Sequence, residues 1–178
     1  MRSLHKQQVD NMFIINCKNY NEISGVKINK LSQVAEKISK KYKIPIAIAP
    51  PHHQLASIRR TVSGRYLSKL LVFAQNLDDA KVGSTTGYMV PEIVKKSNVN
   101  GALINHSEHR IPSKEIINLV KRLKKLKMKT VVCVKNVQEA EKYARLNPTY
   151  IAIEPPELIG TGRAISNERP ELISKSLF

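Results

Sequence analysis

The stretch Tyr150-Ile-Ala-Ile-Glu154-Pro-Pro-Glu-Leu-Ile-Gly160-Thr-Gly162 is an apolar run that ends in a carboxylate and continues directly into two prolines. The β-branched run predicts a strand with Glu154 at its carboxyl end. The prolines stiffen the start of the following loop, whereas Gly160 and Gly162 leave its far end flexible. The sequence therefore predicts a strand that delivers an acid to the base of a hinged loop.

Five similar apolar runs precede this one at steps of about thirty residues, which is the size of a strand followed by a helix. The six predicted strands are Phe13–Cys17, Ile44–Ala49, Leu70–Gln75, Ala102–Asn105, Thr130–Val134 and Tyr150–Glu154. Their residues do not alternate between apolar and polar. Such continuous runs are typical of parallel strands that are covered on both faces.

Helical patterns fill the intervals between the strands. Two segments place apolar residues on one helical face, and these are Leu31, Val34, Ala35 and Ile38 in the first and Ile116, Leu119, Val120 and Leu123 in the second. Asn136 with Glu139 three residues later predicts a capping box for a helix that runs through Leu146. Shorter helices are predicted around Leu55–Arg60 and Glu92–Lys96.

Six strands that alternate with helices define the α/β class. This pattern leaves open whether the sheet is an open, doubly wound one or a closed barrel. No Gly-x-Gly-x-x-Gly follows the first predicted strand, which weakens the dinucleotide-binding form of the open sheet.

The length of 178 residues is enough for one domain with a sizeable core. We expect residues 1–11 to be a polar leader and residues 12–178 to form the domain. No apolar run has the length of a membrane span, and the first residues lack a signal-peptide pattern, so a cytoplasmic protein is expected. Cys17 and Cys133 lie in apolar runs and are predicted to be buried free thiols.

The formal net charge of +16 is large and raises the alternative of a basic protein that binds nucleic acid. The best support for this alternative is the segment Lys121–Lys129. Its apolar residues keep helical spacing, however, so its lysines are better explained as a solvated face. Few aromatic residues are present to stack on bases, and nucleic acid is therefore a disfavoured partner.

Three segments at the ends of apolar runs carry a resemblance to a known family: Asn16-Cys-Lys18, Asn105-His-Ser-Glu-His-Arg110 and the stretch from Glu154 to Gly162. Together they resemble the triosephosphate isomerases in their short archaeal form, over nearly the whole chain from Met12 onward. The resemblance implies a (β/α)8 TIM barrel whose site lies at the carboxyl ends of the strands. It also implies an enzyme that interconverts glyceraldehyde 3-phosphate and dihydroxyacetone phosphate through an enediolate, without a cofactor.

The resemblance implies a catalytic role for two residues. Glu154 matches the carboxylate that moves a proton between neighbouring carbons, and His106 matches the neutral imidazole that donates to the substrate oxygens; triosephosphate isomerase is itself the standard example of this pair. The structural alternatives are an acid that caps its loop and a histidine with an ordinary hydrogen bond. His106 and His109 are three residues apart, which is a spacing that metal ligands can have. No third ligand is near in sequence, however, and no metal is expected.

Further residues match the family's binding groups and their supports. Lys18 matches the cation that holds the anionic substrate, for which a lysine lying along the surface is the structural alternative. Asn16 lies two residues earlier, where its side chain is expected to orient that of Lys18. Ser107 and Glu108 match the residues that support the histidine.

The segment from Pro155 to Gly162 matches the family's mobile lid, with Pro156 at its stiff start. Closing such a lid excludes water and protects the reactive intermediate. Gly160 and Gly162 are expected to absorb the backbone change. Gly160 and Thr161 are also expected to offer amide donors to the substrate phosphate.

The predicted loop Asn76–Tyr88 matches the segment that the family inserts into a partner subunit near that subunit's lysine, with Thr86 as the matching residue. An ordinary solvent loop is the structural alternative. The short form of the family implies a homo-oligomer, either a dimer or a tetramer.

Only about six β/α units fit into this chain, and Pro170–Ser176 is the expected start of the sixth helix. We therefore expect an incomplete barrel that lacks the family's C-terminal quarter, including the amides after strands seven and eight that bind phosphate. A fragment, a truncated gene and a second chain that supplies the rest all remain open. Little isomerase activity is expected from these residues alone, and an inactive truncated isomerase is an alternative reading.

Overall fold

The computed structural model describes residues 11–62 and 70–171 of the chain. Most of the predicted polar leader, residues 1–11, lies outside the described residues. So does most of the predicted sixth helix over Pro170–Ser176.

One sheet of six parallel strands organises the described residues. The strands lie in chain order, each pairing with the next, and they are β1 Phe13–Asn16, β2 Ile46–Ala49, β3 Leu70–Ala74, β4 Gly101–Ile104, β5 Lys129–Val134 and β6 Tyr150–Ile153. The six predicted parallel strands are confirmed, with ends that shift by one or two residues. Together they form an incomplete TIM barrel in which β1 and β6, within the described part of the chain, each pair on one side.

Helices alternate with these strands. Their bounds are α1 Val26–Tyr42, α2 Leu55–Val62, α3 Pro91–Lys96, α4 Ser113–Lys125, α5 Val137–Ala144 and α6 Ile165–Glu168. Within the described residues, no helix is both long enough and apolar enough to cross a membrane.

The buried face of α1 agrees with the predicted one only in part: Ala35 is buried as expected, but two other residues are not. Val34 and Ile38 are each 45% exposed, whereas Ser32 and Ser39 are buried. The two serines tolerate burial because their hydroxyls donate to backbone carbonyls: Ser32 to Ile28 at 2.7 Å, and Ser39 to the residue at position 44 at 2.8 Å. A prediction that counts only apolar residues does not find a buried face that includes serines with hydrogen-bonded hydroxyl groups.

The other helical predictions agree more closely with the structure. The four apolar residues expected on one face of α4 are all buried. The side chain of Asn136 accepts a hydrogen bond from the Glu139 amide at 2.9 Å, which caps α5 as predicted. The reciprocal bond differs, because the Glu139 carboxylate accepts from the Lys135 amide, and α5 ends at Ala144 instead of Leu146.

The sheet separates two apolar layers, because successive residues of a strand point to opposite faces. The larger layer lies between strands and helices, and in β2 it includes Ile46 and Ile48. The smaller layer includes Ala47 and Ala49 and is centred on the fully buried Phe73. The strands in the middle of the sheet are almost wholly buried, whereas β1 and β6 are more exposed. The predicted burial on both faces therefore holds for the central strands only.

The buried thiols of Cys17 and Cys133 are free, as the sequence predicts. Burial raises the pKa of Cys17 to about 11, so this thiol stays protonated near neutral pH.

Gly101 allows β4 to pack against Phe73 and β5. A Cβ atom at this position would lie 2.4 Å from the Lys129 carbonyl oxygen and 2.8 Å from the Phe73 ring. Backbone oxygen cannot move aside without disturbing the pairing of β4 with β5. Close approach of the strands therefore requires glycine here.

We expect Gly101→Ala to lower the free energy of unfolding by about 3 kcal/mol, because the added methyl overpacks the interior. Gly87→Ala is the matched control, since Gly87 has a φ of 87° but open space around its Cβ position. Strain from the left-handed backbone alone costs about 1 kcal/mol. Urea denaturation of both variants measures the difference, and equal losses would contradict the packing argument.

Candidate functional site

The carboxylate of Glu154 lies between two donors from the loop after β4. Its Oε1 is 3.0 Å from Nε2 of His106, and its Oε2 accepts from the Ser107 amide at 2.8 Å. The Glu154 amide also donates to Val134 at 2.7 Å, which extends the pairing of β6 with β5 to the acid itself. Pairing within the sheet thus fixes the backbone position of Glu154, from which the carboxylate extends.

The hydrogen bonds of His106 indicate a neutral ring with a defined tautomer. The Glu108 amide donates to Nδ1 of His106 at 3.2 Å, so Nδ1 is an acceptor and Nε2 carries the proton. Nε2–H then donates to Glu154. The carboxylate of Glu108 approaches Nδ1 only to 3.7 Å, which is too long for a competing hydrogen bond.

The environment of Glu154 favours its ionised form. Burial raises the pKa of the Glu154 carboxyl, but the bonds from His106 and Ser107 and the charge of Arg110 hold it, on balance, below the usual range. Burial and the carboxylate of Glu154 raise the pKa of the nearby Cys133 thiol. The site therefore presents a carboxylate that can accept a proton beside a thiol that stays protonated.

Lys18 occupies a strained position just after β1. Its φ is 48°, and its amide donates to the Asn16 side chain at 3.0 Å. Asn16 was expected to orient the side chain of Lys18, but it holds the backbone instead. Gln75 holds the other side of this peptide, donating to the Lys18 carbonyl at 2.9 Å and to that of Ala49 at 3.1 Å.

The ammonium of Lys18 pairs with Glu108 at 2.7 Å. This hydrogen bond raises the pKa of Lys18 above its usual value. Since Glu108 also faces His106, it links the cation to the histidine. Glu108, which the resemblance implied as a support for His106, is therefore also the partner of Lys18.

These groups border one cavity of about 610 Å³ at the carboxyl ends of the strands. Lys18, His106 and Glu108 line it together with Asn16 and Gln75, and Glu154 lies behind His106. The structure thus brings the predicted base, imidazole and cation to one mouth of the sheet.

Asn105 shapes the loop that carries His106. Its φ is 63°, a conformation that asparagine tolerates better than most residues. The side chain donates to Cys133 at 2.9 Å and accepts from the Ile111 amide at 3.1 Å, while Arg110 donates to the Asn105 carbonyl at 2.7 Å. The loop is therefore fixed to β5 on both sides of the histidine.

The predicted lid leaves the site through a single helical turn, Pro156–Leu158. Gly160 and Gly162 have φ values of 74° and 72°, which are favourable for glycine and strained for other residues. Thr161 donates to the Leu158 carbonyl through its hydroxyl at 2.8 Å and through its amide at 3.3 Å. The tip of this segment is exposed, and the Thr161 amide is hydrogen-bonded within the segment itself.

Sequence reasoning missed Gln75, Asn76 and His52 as parts of this site. All three line the cavity, and the Asn76 amide donates to Nε2 of His52 at 3.1 Å. Their position at or shortly after the ends of predicted strands was the available signal, because strand ends meet at one edge of a parallel sheet. Among the described residues, no group of three or more histidines, cysteines or acids is arranged to hold a metal ion.

The fold and the site define an enzyme-type TIM barrel, with polar groups gathered at the carboxyl ends of its strands. A sequence model described as triosephosphate isomerase matches residues 11–177. The chain is 51% identical over 165 residues to a triosephosphate isomerase of Cenarchaeum symbiosum, a match that covers 93% of this chain and 71% of that protein.

Other archaeal proteins match in the same way. Triosephosphate isomerases of Caldivirga maquilingensis and Methanocaldococcus jannaschii are each 38% identical, over 93% and 91% of this chain and 71% of their own lengths. The chain belongs to the triosephosphate isomerase family. Family membership supports isomerisation of triose phosphates and favours neither the inactive fragment nor the nucleic-acid-binding alternative.

The pKa of Glu154 predicts a pH-dependent contribution to stability. Because the folded pKa lies below the unfolded value, the ionised carboxylate stabilises the fold above the ordinary glutamate pKa of about 4.3. This stabilisation is lost as the pH falls through the folded pKa.

We therefore expect Glu154→Gln to be less stable than the parent chain near neutral pH. The difference should shrink as the pH falls through the folded pKa of Glu154, below which both states of the parent are protonated. Urea denaturation at a series of pH values measures it. A difference that stays constant across the series would show that the carboxylate has no net stabilising partners.

Proposed function

We propose that the residues around the cavity catalyse the interconversion of glyceraldehyde 3-phosphate and dihydroxyacetone phosphate. Glu154 is the base, which removes a proton from one substrate carbon and returns it to the neighbouring carbon. His106, with its proton on Nε2, donates to the substrate oxygens as negative charge develops on them. The observation that carries this proposal is the 3.0 Å contact between an ionised Glu154 and a neutral His106.

Substrate binding requires Glu154 to exchange its partners. In the described arrangement, the carboxylate accepts the hydrogen bond that Nε2–H of His106 donates. A substrate carbonyl oxygen would take over that hydrogen bond and free the carboxylate to approach the carbon. Losing the Ser107 amide in the same movement raises the pKa of Glu154 and makes it a stronger base.

Lys18 is the proposed cation, with Asn16 holding its backbone in place. An anionic substrate competes with Glu108 for the ammonium, which is 29% exposed and reachable from the cavity. A fixed ammonium stabilises the anionic substrate and the negative charge that develops during proton transfer. Glu108 then remains as a support for the loop of His106.

The segment Pro155–Gly162 is the proposed lid. Its two glycines have the backbone freedom that a hinge uses, and Pro155 is buried at its base. For the Thr161 amide to bind phosphate beside Gly160, its bond to the Leu158 carbonyl has to open. Lid closure and phosphate binding are thereby coupled.

Turnover of glyceraldehyde 3-phosphate by the purified chain tests the proposed function. Glu154→Asp withdraws the carboxylate by one methylene, and such misplacement lowers kcat on the order of a hundredfold, with a smaller change in KM. Glu154→Gln, which lacks a base, provides the background rate. We expect low turnover from residues 1–178 alone, yet above this background.

A folded chain whose rate equals that of Glu154→Gln would favour the inactive alternative. An unchanged kcat in Glu154→Asp would remove this residue from the base role. Circular dichroism of each variant controls for unfolding. We also propose a cytoplasmic location for this chain, with residues 12–178 as its barrel domain.

We further propose that the chain forms a homo-oligomer through the arm, which we define as residues 76–88. The arm has no regular secondary structure, and its base is closed by two bonds between Asp78 and Met89, of 3.1 and 2.6 Å. Val82 and Tyr88 are each 59% exposed on it. Exposed apolar residues on a projecting segment are typical of a contact surface.

Arg122 of α4 fixes the orientation of this arm. It donates to Asp79 at 2.9 Å, to the Ala80 carbonyl at 2.8 Å and to Glu92 of α3 at 2.6 Å. The bidentate geometry with Glu92 makes this pair more specific than a typical surface ion pair. An arm held at its root can present Thr86 to a partner with little loss of entropy.

Thr86→Arg is expected to weaken self-association at least about tenfold, because it places a bulky charge in the proposed contact. Gln33→Arg adds the same charge at an exposed position of α1 and is the matched control. Sedimentation equilibrium of both variants measures the effect. Equal association constants for the two variants would argue against the arm as the contact.

A further inference from the structure

Three histidines that the proposed reaction does not use line the catalytic cavity. His52 and His53 follow β2, and His109 follows β4. A positive charge on His53 or His109 lowers the pKa of His52. The same cavity, of about 610 Å³, is bordered by Lys18 and His106.

His52 is neutral in this arrangement and is joined to the root of the arm. Its Nε2 accepts from the Asn76 amide at 3.1 Å, which places its proton on Nδ1. Protonating His52 converts this acceptor into a donor and leaves the Asn76 amide facing another N–H. The hydrogen bond at the root of the arm therefore depends on the deprotonated ring.

Asn76 also carries an unused acceptor at this wall. The residue is 7% exposed, and its Oδ1 is buried without a hydrogen-bond partner among the described residues. Its Nδ2 is directed to Asp78 at 3.4 Å, so the amide orientation is defined. A buried acceptor without a partner is costly, and a hydroxyl group entering the cavity would satisfy it.

The arm of a second copy has the chemistry that this wall requires. Its tip carries the hydroxyl groups of Ser84, Thr85 and Thr86, flanked by the exposed Val82 and Tyr88. Lys81 is the one charged residue between positions 80 and 88. A neutral histidine wall suits such a tip, whereas a cationic wall repels Lys81 and has to be desolvated on contact.

We propose that the cavity wall at His52 is a proton-sensitive receptor for the arm of a second copy, so that self-association weakens when His52 gains a proton. This inference rests on the proposed oligomer and adds its regulation and the identity of the receptor wall.

The charged groups around the wall do not cancel this effect. Glu108 is already paired with Lys18, and Glu154 with His106. Asp78 raises the pKa of His52, but burial lowers it more, and His109 and His53 lower it further. Because the net pKa of His52 lies below the usual histidine value, His52 is neutral at pH 7 and gains its proton only in acidic solution.

Sedimentation equilibrium of the 178-residue chain between pH 7.5 and about pH 5.5, at constant ionic strength, tests the proposal. Each proton taken up on dissociation weakens association about tenfold per pH unit, and we expect at least a tenfold weakening across this range. The variant His52→Gln should keep tighter association at low pH, and the double variant His53→Gln/His109→Asn is the matched control that keeps His52. Gln at position 52 retains an acceptor for the Asn76 amide.

Thr86→Arg separates the two proposals. If it abolishes association while the parent shows no pH dependence, the oligomer stands and the histidine receptor is wrong. A parent chain that is monomeric at every pH overturns both proposals. The receptor is also overturned if His52→Gln keeps the full pH dependence, and circular dichroism at each pH separates dissociation from unfolding.

Discussion

The in-register parallel pairing of β4, β5 and β6 is the constraint on which the candidate site depends. Ile104 pairs with Val132, and Ile153 pairs with Val134, so β6 ends two residues beyond β4 along β5. His106 lies two residues after the end of β4 and Glu154 directly after the end of β6, which compensates for this offset, and the two side chains meet at 3.0 Å. A shift of one residue in either pairing would move a side chain to the opposite face and separate them.

Each charged group at this mouth is held by another group of the site. Glu154 accepts from His106, and Lys18 pairs with Glu108. An anionic substrate would therefore replace existing charge-assisted hydrogen bonds instead of adding to them. Because the charged groups already have partners, the site is ordered before the substrate binds. Much of the net binding energy therefore has to come from contacts with other parts of the substrate, including its phosphate.

The polar residues around the strand ends have a second role, which is to hold the backbone in strained conformations. Lys18 and Asn105 both have positive φ, and Asn16, Gln75 and the neighbouring amides satisfy the peptides that these conformations expose. Strained backbone of this kind persists only where surrounding bonds hold it. The same bonds fix the directions in which the functional side chains leave the sheet.

The sequence by itself determined the α/β class, the six strands, the buried face of α4 and the family, because apolar runs and strand-end motifs are local in the chain. It also pointed to Lys18, His106 and Glu154, although their roles remain proposals. The tertiary structure alone decided that α1 buries Ser32 and Ser39, that Glu108 partners Lys18, and that His52 holds the Asn76 amide. The two serines bond to nearby carbonyls, but their burial depends on how α1 packs on the sheet. Lys18 and Glu108, and likewise His52 and Asn76, come from separate β/α units, so their pairing depends on where the folded backbone places each atom, which no local pattern encodes.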